Sequence, residues 1–407
     1  MGFQMRTTLF GYGKTTKAIA KTIGNCVIFD DKIKIETFDE YENKLLPADK
    51  FDPKKSDLEI TSPGIPPSHP LIKKARNLIS EYDFFSDMMP FSVWISGTNG
   101  KTTTTAMTGH LLENKKAQTG GNIGTPLADM DPNSPLWILE TSSFTLHYTK
   151  KAVPNLYLLL PIKPDHISWH ESFREYEKAK LKPLLNMKEG EAAIIPAKYA
   201  DFPTDAFKIT YENSSDLADF LDIDINRINF KEPFLLDAVM ALGVTKILFD
   251  EIDYEKINSF VIAPHKLEEF YDHKNRLWIN DSKATNIDAA IEALKRYRDK
   301  KIYLILGGDD KGVDLTRLFE FLKPVDVEIF AIGSNAKKIE RLSKEIDKKI
   351  HLCHHLQTAV KEIDKLLKPD HIALLSPAAA SLDQFASYAK RGEVFLQTIK
   401  DLSQSST

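Results

Sequence analysis

Residues 93–105 restrict the folds open to this chain more than any other stretch, reading V-W-I-S-G-T-N-G-K-T-T-T-T. An apolar run suited to a buried strand stops at a Gly-rich turn, and a lysine with a threonine run opens a helix. A strand that feeds directly into a helix is the opening half of a parallel crossover, which predicts an α/β fold. Gly97 and Gly100 let the backbone curl so that its N–H groups point at phosphate oxygens. Lys101 brings a positive charge to the terminal phosphates, and the Thr102 hydroxyl suits Mg²⁺. The helix behind adds its positive dipole end. The stretch predicts a nucleoside triphosphate site built from Gly97, Thr98, Asn99, Gly100, Lys101, Thr102 and Thr103. The general P-loop pattern wants a glycine where Ile95 stands, so this is a compact variant. A Gly turn before an ordinary helix would use the same residues with no ligand.

A chain of 407 residues allows two to four domains. Its net charge of −4 argues against a broad basic face for nucleic acid. Apolar runs such as 156–160 stop at proline after a few residues, too short for a bilayer. No signal-peptide stretch opens the chain, and Arg6 stands where a myristoylation signal after Gly2 wants Ser or Thr. Cys26 and Cys353 lie far apart without metal spacing, which reads as reduced thiols in the cytoplasm. The expectation is a cytoplasmic monomer without nucleic-acid or membrane partners.

Three blocks follow from the pattern. Residues 1–88 open with strand T-T-L-F, the turn G-Y-G-K-T-T, a helix over 17–23, and strand C-V-I-F ending at Asp30 and Asp31. This is a βαβ pattern of the Rossmann kind, although Thr16 takes the third glycine position. A tight turn with no ligand fits it equally. Residues 89–262 hold the phosphate loop and the apolar strands L-W-I-L-E, L-Y-L-L-L and A-A-I-I, as expected of parallel strands covered on both faces. Residues 263–407 repeat strand–loop–helix units whose strands end in Gly, Ser, Asn or Asp. The predicted fold is α/β with three domains: a Rossmann-like N-terminal domain, a central P-loop-type, mostly parallel sheet, and a Rossmann-like C-terminal domain.

Several residues stand where chemistry is carried. Glu140 ends the strand L-W-I-L-E, beside the phosphate loop, and reads as a Mg²⁺ ligand or as a cap of the next helix. P-D-H-I-S-W-H, residues 164–170, puts Asp165 and His166 at the same sheet edge, with His166 a candidate for a second ion and His170 a surface residue. In F-R-E-Y-E-K-A-K-L-K-P-L-L, residues 173–185, helical period puts Phe173, Tyr176, Lys180 and Leu184 on one face. A buried Lys180 would have a lowered pKa and could take up CO₂ as a carbamate. The competing reading has it snorkel to water. The last block holds three polar loops: N-D-S-K-A-T-N around Asp281, Lys283, Thr285 and Asn286; L-G-G-D-D-K-G around Lys311; and S-P-A-A-A-S-L-D-Q-F with Ser376 and Ser381. Their cations, hydroxyls and backbone donors suit a small acidic substrate.

Taken together, S-G-T-N-G-K-T-T, G-G-N-I-G-T-P, P-D-H, the lysine of K-A-K-L and the three last loops resemble the Mur ligase superfamily over nearly the whole chain. Its members use ATP to join an amino acid to a carboxylate. The G-G-N-I-G and N-D-S-K-A-T-N strings point to the branch that adds D-glutamate to UDP-N-acetylmuramoyl-L-alanine through an acyl phosphate, in peptidoglycan precursor synthesis. The resemblance implies that Gly11, Tyr12, Gly13, Lys14, Thr15, Thr16, Asp30, Asp31, Ser62 and Gly64 hold the UDP end. Asn122 would contact the muramoyl-alanine part near the reacting carboxylate. Thr102, Glu140, His166 and a carbamylated Lys180 would hold two Mg²⁺ ions, with Lys101, His166, Lys180 and Asn122 as the catalytic set. Lys266 and Asp281 would contact ATP, and Lys283, Thr285, Lys311, Ser381 and Tyr388 would hold D-glutamate.

The chain departs from the family in places. F-K-E-P-F, residues 230–234, replaces the asparagine motif near adenine; Lys266 replaces an arginine; Tyr388 replaces a phenylalanine. Three alternatives remain at this level: another Mur-type or folate-type amino-acid ligase, a P-loop kinase or ATPase, and a binding protein that kept the fold.

Overall fold

The computed structural model describes residues 5–122 and 124–404. Gly2 and Ile123 of the G-G-N-I-G string lie outside the described residues. The chain divides into two compact units, residues 1–260 and 261–407, and carries three six-stranded, mostly parallel sheets.

In the first unit, β1 (Thr7–Phe10), β2 (Val27–Asp30), β3 (Thr37–Phe38), β4 (Lys44–Pro47), β5 (Leu58–Thr61) and β6 (Leu78–Ile79) pair in the order β3-β4-β2-β1-β5-β6. Only β3 runs antiparallel to its neighbour. Helix α1 (Lys14–Ile23) begins three residues before the stretch expected from the apolar pattern. Gly13 adopts an extended cap conformation, and its N–H donates to the Thr16 hydroxyl at 3.1 Å, so the polar K-T-T string is absorbed into the first turn.

The second sheet comprises β7 (Ser92–Ser96), β8 (Gln118–Gly121), β9 (Trp137–Glu140), β10 (Leu156–Leu159), β11 (Ala192–Pro196) and β12 (Phe207–Tyr211). Their order is β12-β11-β10-β7-β9-β8, parallel throughout. Strands β7, β9 and β10 are buried along their whole length, which explains their unbroken apolar runs. Because β7 lies between β9 and β10, three loops meet at one sheet edge. The short helix Glu81–Phe85 docks the first sheet's chain onto the second. Asp83 accepts the N–H groups of Lys150, Lys151 and Ala152 at 2.7–2.8 Å. Tyr82 packs edge-on against Trp94 and donates to the Glu140 carbonyl at 3.2 Å.

The second unit contains β13 (Glu268–Tyr271), β14 (Leu277–Asn280), β15 (Ile302–Gly307), β16 (Val327–Ile332), β17 (Ile350–His354) and β18 (Ile372–Leu375). They pair as β13-β14-β18-β15-β16-β17, with β13 alone antiparallel. The last strand inserts between β14 and β15, so the loops after β14, β18 and β15 lie side by side, where open α/β sheets bind ligands. Trp278, Phe330 and Phe395 centre the core beneath them, all fully buried. Among the described residues no helix is long and apolar enough to cross a membrane.

Candidate active site

Helix α2 (Lys101–Leu111) leaves β7 through Gly97–Gly100. Gly100 caps the helix at φ 87°, and a Cβ there would stand 2.4 Å from Asp237 Oδ1. Only glycine meets both demands. Asp237, almost wholly buried on α4 (Phe234–Phe249), accepts the Thr104 hydroxyl at 2.8 Å and so fixes the helix start. The Thr98 hydroxyl is tied to the segment after β10: it accepts Lys163 N–H at 2.9 Å, donates to the Lys163 carbonyl at 3.0 Å and meets Tyr176 Oη at 2.9 Å. That side chain braces the loop, while Asn99 is exposed at its tip and Thr103 is buried behind it.

Two lysines converge on one carbonyl. Lys101 Nζ donates to the carbonyls of Gly97 at 3.0 Å and Thr98 at 2.8 Å. Lys180 Nζ donates to the same Gly97 carbonyl at 2.7 Å and to Ser96 Oγ at 3.3 Å. Helix α3 (Phe173–Asn186) turns Tyr176, Lys180 and Leu184 inward as their spacing predicts. Lys180 is 1% exposed, so the snorkelling reading fails. Burial, then the charge of Lys101, holds its pKa well below that of an ordinary lysine. Two ammonium groups at one oxygen repel, and for the buried one this adds to the effect of desolvation.

Glu140 is 2% exposed, and both carboxylate oxygens are engaged. Oε2 accepts the Thr102 hydroxyl at 2.8 Å, and Oε1 accepts Asn122 Nδ2 at 2.8 Å. Ser142, not Glu140, caps the helix Ser143–Tyr148, through Thr145 N–H at 3.0 Å, so the capping alternative fails. The oxygen donors of Thr102 and Glu140 suit a hard cation such as Mg²⁺. His166 adopts φ 53°; its ring is roughly half exposed, lies edge-on to Phe144 and has Nε2 3.7 Å from Asp165 Oδ2. Among the described residues no three His, Cys, Asp or Glu side chains form a ready metal cage. His170, expected on the surface, is instead 3% exposed. Left-handed backbone at His166 and Glu171 folds the short helix Ile167–His170 back on itself, so His170 faces Ser143, Phe144 and Tyr176. Burial pushes its pKa down to about 3, which keeps the ring neutral.

The first sheet presents its turn in the same unit. Asp30 accepts the N–H groups of Tyr12 and Lys32, both at 2.7 Å, and the Thr16 hydroxyl donates to the Gly11 carbonyl at 2.7 Å. Asp31 pairs with His69 at 2.8 Å, and Ser62 N–H closes on the Phe10 carbonyl. Lys14 donates to the Gly124 carbonyl, joining this turn to the Asn122 loop. Trp169 Nε1 donates to the Gly64 carbonyl at 3.2 Å, joining the Ser62–Gly64 loop to the His166 segment. Thr15, next to Lys14 in α1, is half-buried.

In the second unit, Asp281 is buried; it accepts Ser376 Oγ at 2.8 Å and Leu267 N–H at 3.2 Å. Burial pushes its pKa up to about 7. His265 and Leu267 flank Lys266 with positive φ, and the His265 carbonyl accepts Lys283 N–H at 3.0 Å. Lys283 Nζ lies over the Tyr388 ring, 4.1 Å from its centroid. Asn286 caps α5 (Ile287–Tyr297) rather than pointing into the loop. Thr285 and Lys311 are exposed and Ser381 is buried.

The structure adds two residues that sequence reasoning passed over, Asp237 and Arg391, and joins two that it named separately, Thr98 and Tyr176. Asp237 had a signal, as a lone acid in the apolar run F-L-L-D-A-V-M-A-L.

Residues 95–222 match the Mur ligase middle domain, and residues 268–379 match the Mur ligase glutamate ligase domain. The UDP-N-acetylmuramoylalanine–D-glutamate ligase of Campylobacter jejuni subsp. jejuni serotype O:23/36 (strain 81-176) is 56% identical over 402 residues, 98% of this chain and 100% of the relative. The same-named protein of Helicobacter pylori (strain ATCC 700392 / 26695) is 47% identical over 416 residues, 96% of this chain and 98% of the relative. Among solved structures, the MurF ligase of Thermotoga maritima in complex with ADP superposes with a TM-score of 0.61 at 14% identity, covering 94% of this chain and 96% of that one.

Proposed function

The chain belongs to the Mur ligase family, and we infer from that membership that it is an ATP-dependent ligase adding D-glutamate to UDP-N-acetylmuramoyl-L-alanine. The reaction forms an amide bond in peptidoglycan precursor synthesis. The observation that carries the reading is the edge of the second sheet, where the Gly97–Gly100 turn, Lys101, Thr102, Glu140 and Asn122 meet. A carboxylate does not react with an amine at neutral pH, because oxide is a poor leaving group. Transfer of the γ-phosphoryl group of ATP to the carboxylate gives an acyl phosphate; the D-glutamate amine attacks its carbonyl carbon, and phosphate leaves. Catalysis of this kind is positioning and charge neutralisation.

We propose the following roles for this chain's residues. Lys101 swings from the Gly97 and Thr98 carbonyls to the triphosphate. Thr102 and Glu140 would hold Mg²⁺, which would supply positive charge to offset that of the transferring phosphoryl group. Asn122, released from Glu140, turns to the muramoyl-alanine carboxylate. His166 and a carbamylated Lys180 serve a second ion. The neutral Lys180 amine attacks CO₂ and loses one proton, giving a carbamate anion beside Lys101. The new anion attracts the Lys101 ammonium. The turn from Gly11 to Thr16 with Asp30, Asp31, Ser62 and Gly64 takes the UDP end. Lys266 and Asp281 take ATP, and Lys283, Thr285, Lys311, Ser381 and Tyr388 take D-glutamate. These assignments divide the work among residues 1–88 (UDP end), 89–262 (ATP) and 263–407 (amino acid), in a cytoplasmic monomer.

The test is to incubate the protein with ATP, Mg²⁺, UDP-N-acetylmuramoyl-L-alanine and D-glutamate and to look for UDP-N-acetylmuramoyl-L-alanyl-D-glutamate by mass. ADP release without that product, or equal use of L-glutamate or L-alanine, overturns the reading. Incubation with ¹³C-bicarbonate tests the carbamate by its NMR signal, which must vanish in Lys180→Met.

A further inference from the structure

Arg391 sits in the first turn of α6 (Tyr388–Gln404), 1% exposed. Its guanidinium bonds to two of the loops assigned above to D-glutamate and is linked to the third through Ala380. Nε donates to Ser282 Oγ at 2.9 Å, and Nη2 donates to the carbonyls of Ser282 at 2.9 Å and Ala379 at 3.1 Å. Nη1 donates to the Ala380 carbonyl at 3.3 Å. Ser282 Oγ in turn donates to the Tyr388 carbonyl at 2.8 Å. Ala380 exchanges two backbone hydrogen bonds with Asp309, at 2.9 and 3.0 Å, which carries the connection into the loop of Lys311. The neighbouring Gly308 is at φ 148°, and a Cβ there would stand 3.2 Å from Arg391 Nη1 and 2.3 Å from the Ala380 carbonyl. The fold leaves a glycine where the guanidinium passes.

The chemistry of this contact set is unusual for so buried a cation. Its direct partners are one hydroxyl and three carbonyls. Among the described residues no carboxylate oxygen comes within ion-pair distance, and Asp383 and Asp281 act on it through space. A guanidinium suits this task because its planar fork offers several fixed donors at once, which a lysine cannot reproduce. With no carboxylate in direct contact, its charge contributes positive potential beneath the loops, favourable to a dicarboxylate.

We propose that Arg391 is a positioning residue for D-glutamate, holding the Lys283, Lys311 and Ser381 loops at the spacing the substrate requires. The proposal rests on the assignment of this end of the second unit to the amino acid. Arg391 touches no substrate itself and acts through the three loops.

The test compares wild type with Arg391→Lys and Ser282→Ala, measuring KM for D-glutamate, ATP and the UDP substrate, together with kcat and the urea midpoint. Arg391→Lys keeps the charge but loses the fork, and its KM for D-glutamate is expected to rise about tenfold, a factor equal to roughly 1.4 kcal/mol. The other two KM values stay within about twofold, a margin of roughly 0.4 kcal/mol. Ser282→Ala removes one acceptor and should shift the same constant about threefold, less than 1 kcal/mol. If Arg391→Lys does not fold, the Ser282→Ala constants decide. An unchanged D-glutamate KM with a lowered urea midpoint, or an equal rise in all three constants, reduces Arg391 to a brace of the fold and overturns the proposal. Wild-type turnover independent of D-glutamate would instead refute the ligase reading.

Discussion

Lys180→Met should be least favourable at high pH and gain on wild type as pH falls, a direction set by the burial of the amine. Methionine matches the lysine stem in length and suits the apolar face of α3. The substitution gives up the hydrogen bonds to Gly97 and Ser96, together about 2 kcal/mol net. The Gly97 carbonyl keeps its bond from Lys101 at 3.0 Å, so no acceptor is orphaned. Against this loss stands the cost of keeping the native amine neutral. In the unfolded chain Lys180 returns to the usual 10.5. The native state binds fewer protons than the unfolded state below that value, so each pH unit of descent costs the native fold about 1.4 kcal/mol while the buried amine stays neutral. The penalty grows as pH falls below the unfolded value, so the variant gains on wild type with descending pH. Near pH 10 the penalty is small, and the variant is less stable by the hydrogen bonds it has lost. Urea unfolding followed by tryptophan fluorescence in bicarbonate-free buffer reads the difference directly. A variant whose stability relative to wild type does not rise between pH 10 and pH 8 would show that Lys180 is a compensated charge and would refute the argument. Product formation by the variant should fall by two orders of magnitude or more at either pH.

Other expectations follow from the same geometry. Gly100→Ala should lose about 2 kcal/mol of stability and most ATP affinity, because its Cβ meets the Asp237 carboxylate in a left-handed conformation; calorimetric titration with ATP and a thermal melt check both. Thr102 and Asn122 share the Glu140 carboxylate, so Thr102→Val and Asn122→Ala should couple by about 1 kcal/mol in a double-mutant cycle on kcat/KM, and strict additivity counts against the shared carboxylate. Asp281 is raised from 3.8 to about 7 by burial, so the native state holds a proton that the unfolded chain has lost across that window. Its contribution is fully present below pH 3.8 and is lost as pH rises to about 7, a change of roughly 4 kcal/mol that Asp281→Asn should flatten in urea midpoints measured across it.

How much of this could be read from residues alone varies with what each residue answers to. Strands β7, β9, β10, β15, β16 and β18 were legible because burial on both faces forces unbroken apolar runs. The edge strands were not. Strand β8 reads Q-T-G-G, β13 reads E-E-F-Y and β17 reads I-H-L-C-H; each is held by one neighbour and half exposed, so no periodicity marks it. The inward face of α3 was legible from its spacing, yet the burial of Lys180 was not, since periodicity cannot say whether a long stem ends in water. His170 misled for a related reason: its placement depends on left-handed backbone at two non-glycine residues, which no residue type announces. Arg391 could not be found at all, because its partners are mostly backbone carbonyls, which no residue type announces: those of Ala379 and Ala380 shortly before it and of Ser282 far away in sequence.

The same contrast explains how the site is built. The residues that declare themselves in the sequence, Lys101, Thr102, Glu140 and Asn122, end on side chains that a ligand can recruit. In this structure they satisfy one another, with Lys101 on loop carbonyls and Thr102 and Asn122 on a single carboxylate. Each such bond is worth on the order of 1 kcal/mol and is exchanged readily for a stronger, charge-assisted contact to phosphate or carboxylate. The residues that form the frame, Asp237, Thr98 and Arg391, bond to groups no ligand displaces: a helix-start hydroxyl, a backbone N–H and three loop carbonyls. Phosphoryl transfer to a carboxylate needs mobile charge on an immobile frame, and here the two requirements are met by separate residues. Substitution of the exchangeable group should therefore alter rate and affinity with little loss of stability, whereas substitution of the fixed group should cost both. Equal stability losses in Asn122→Ala and Asp237→Asn would break that division.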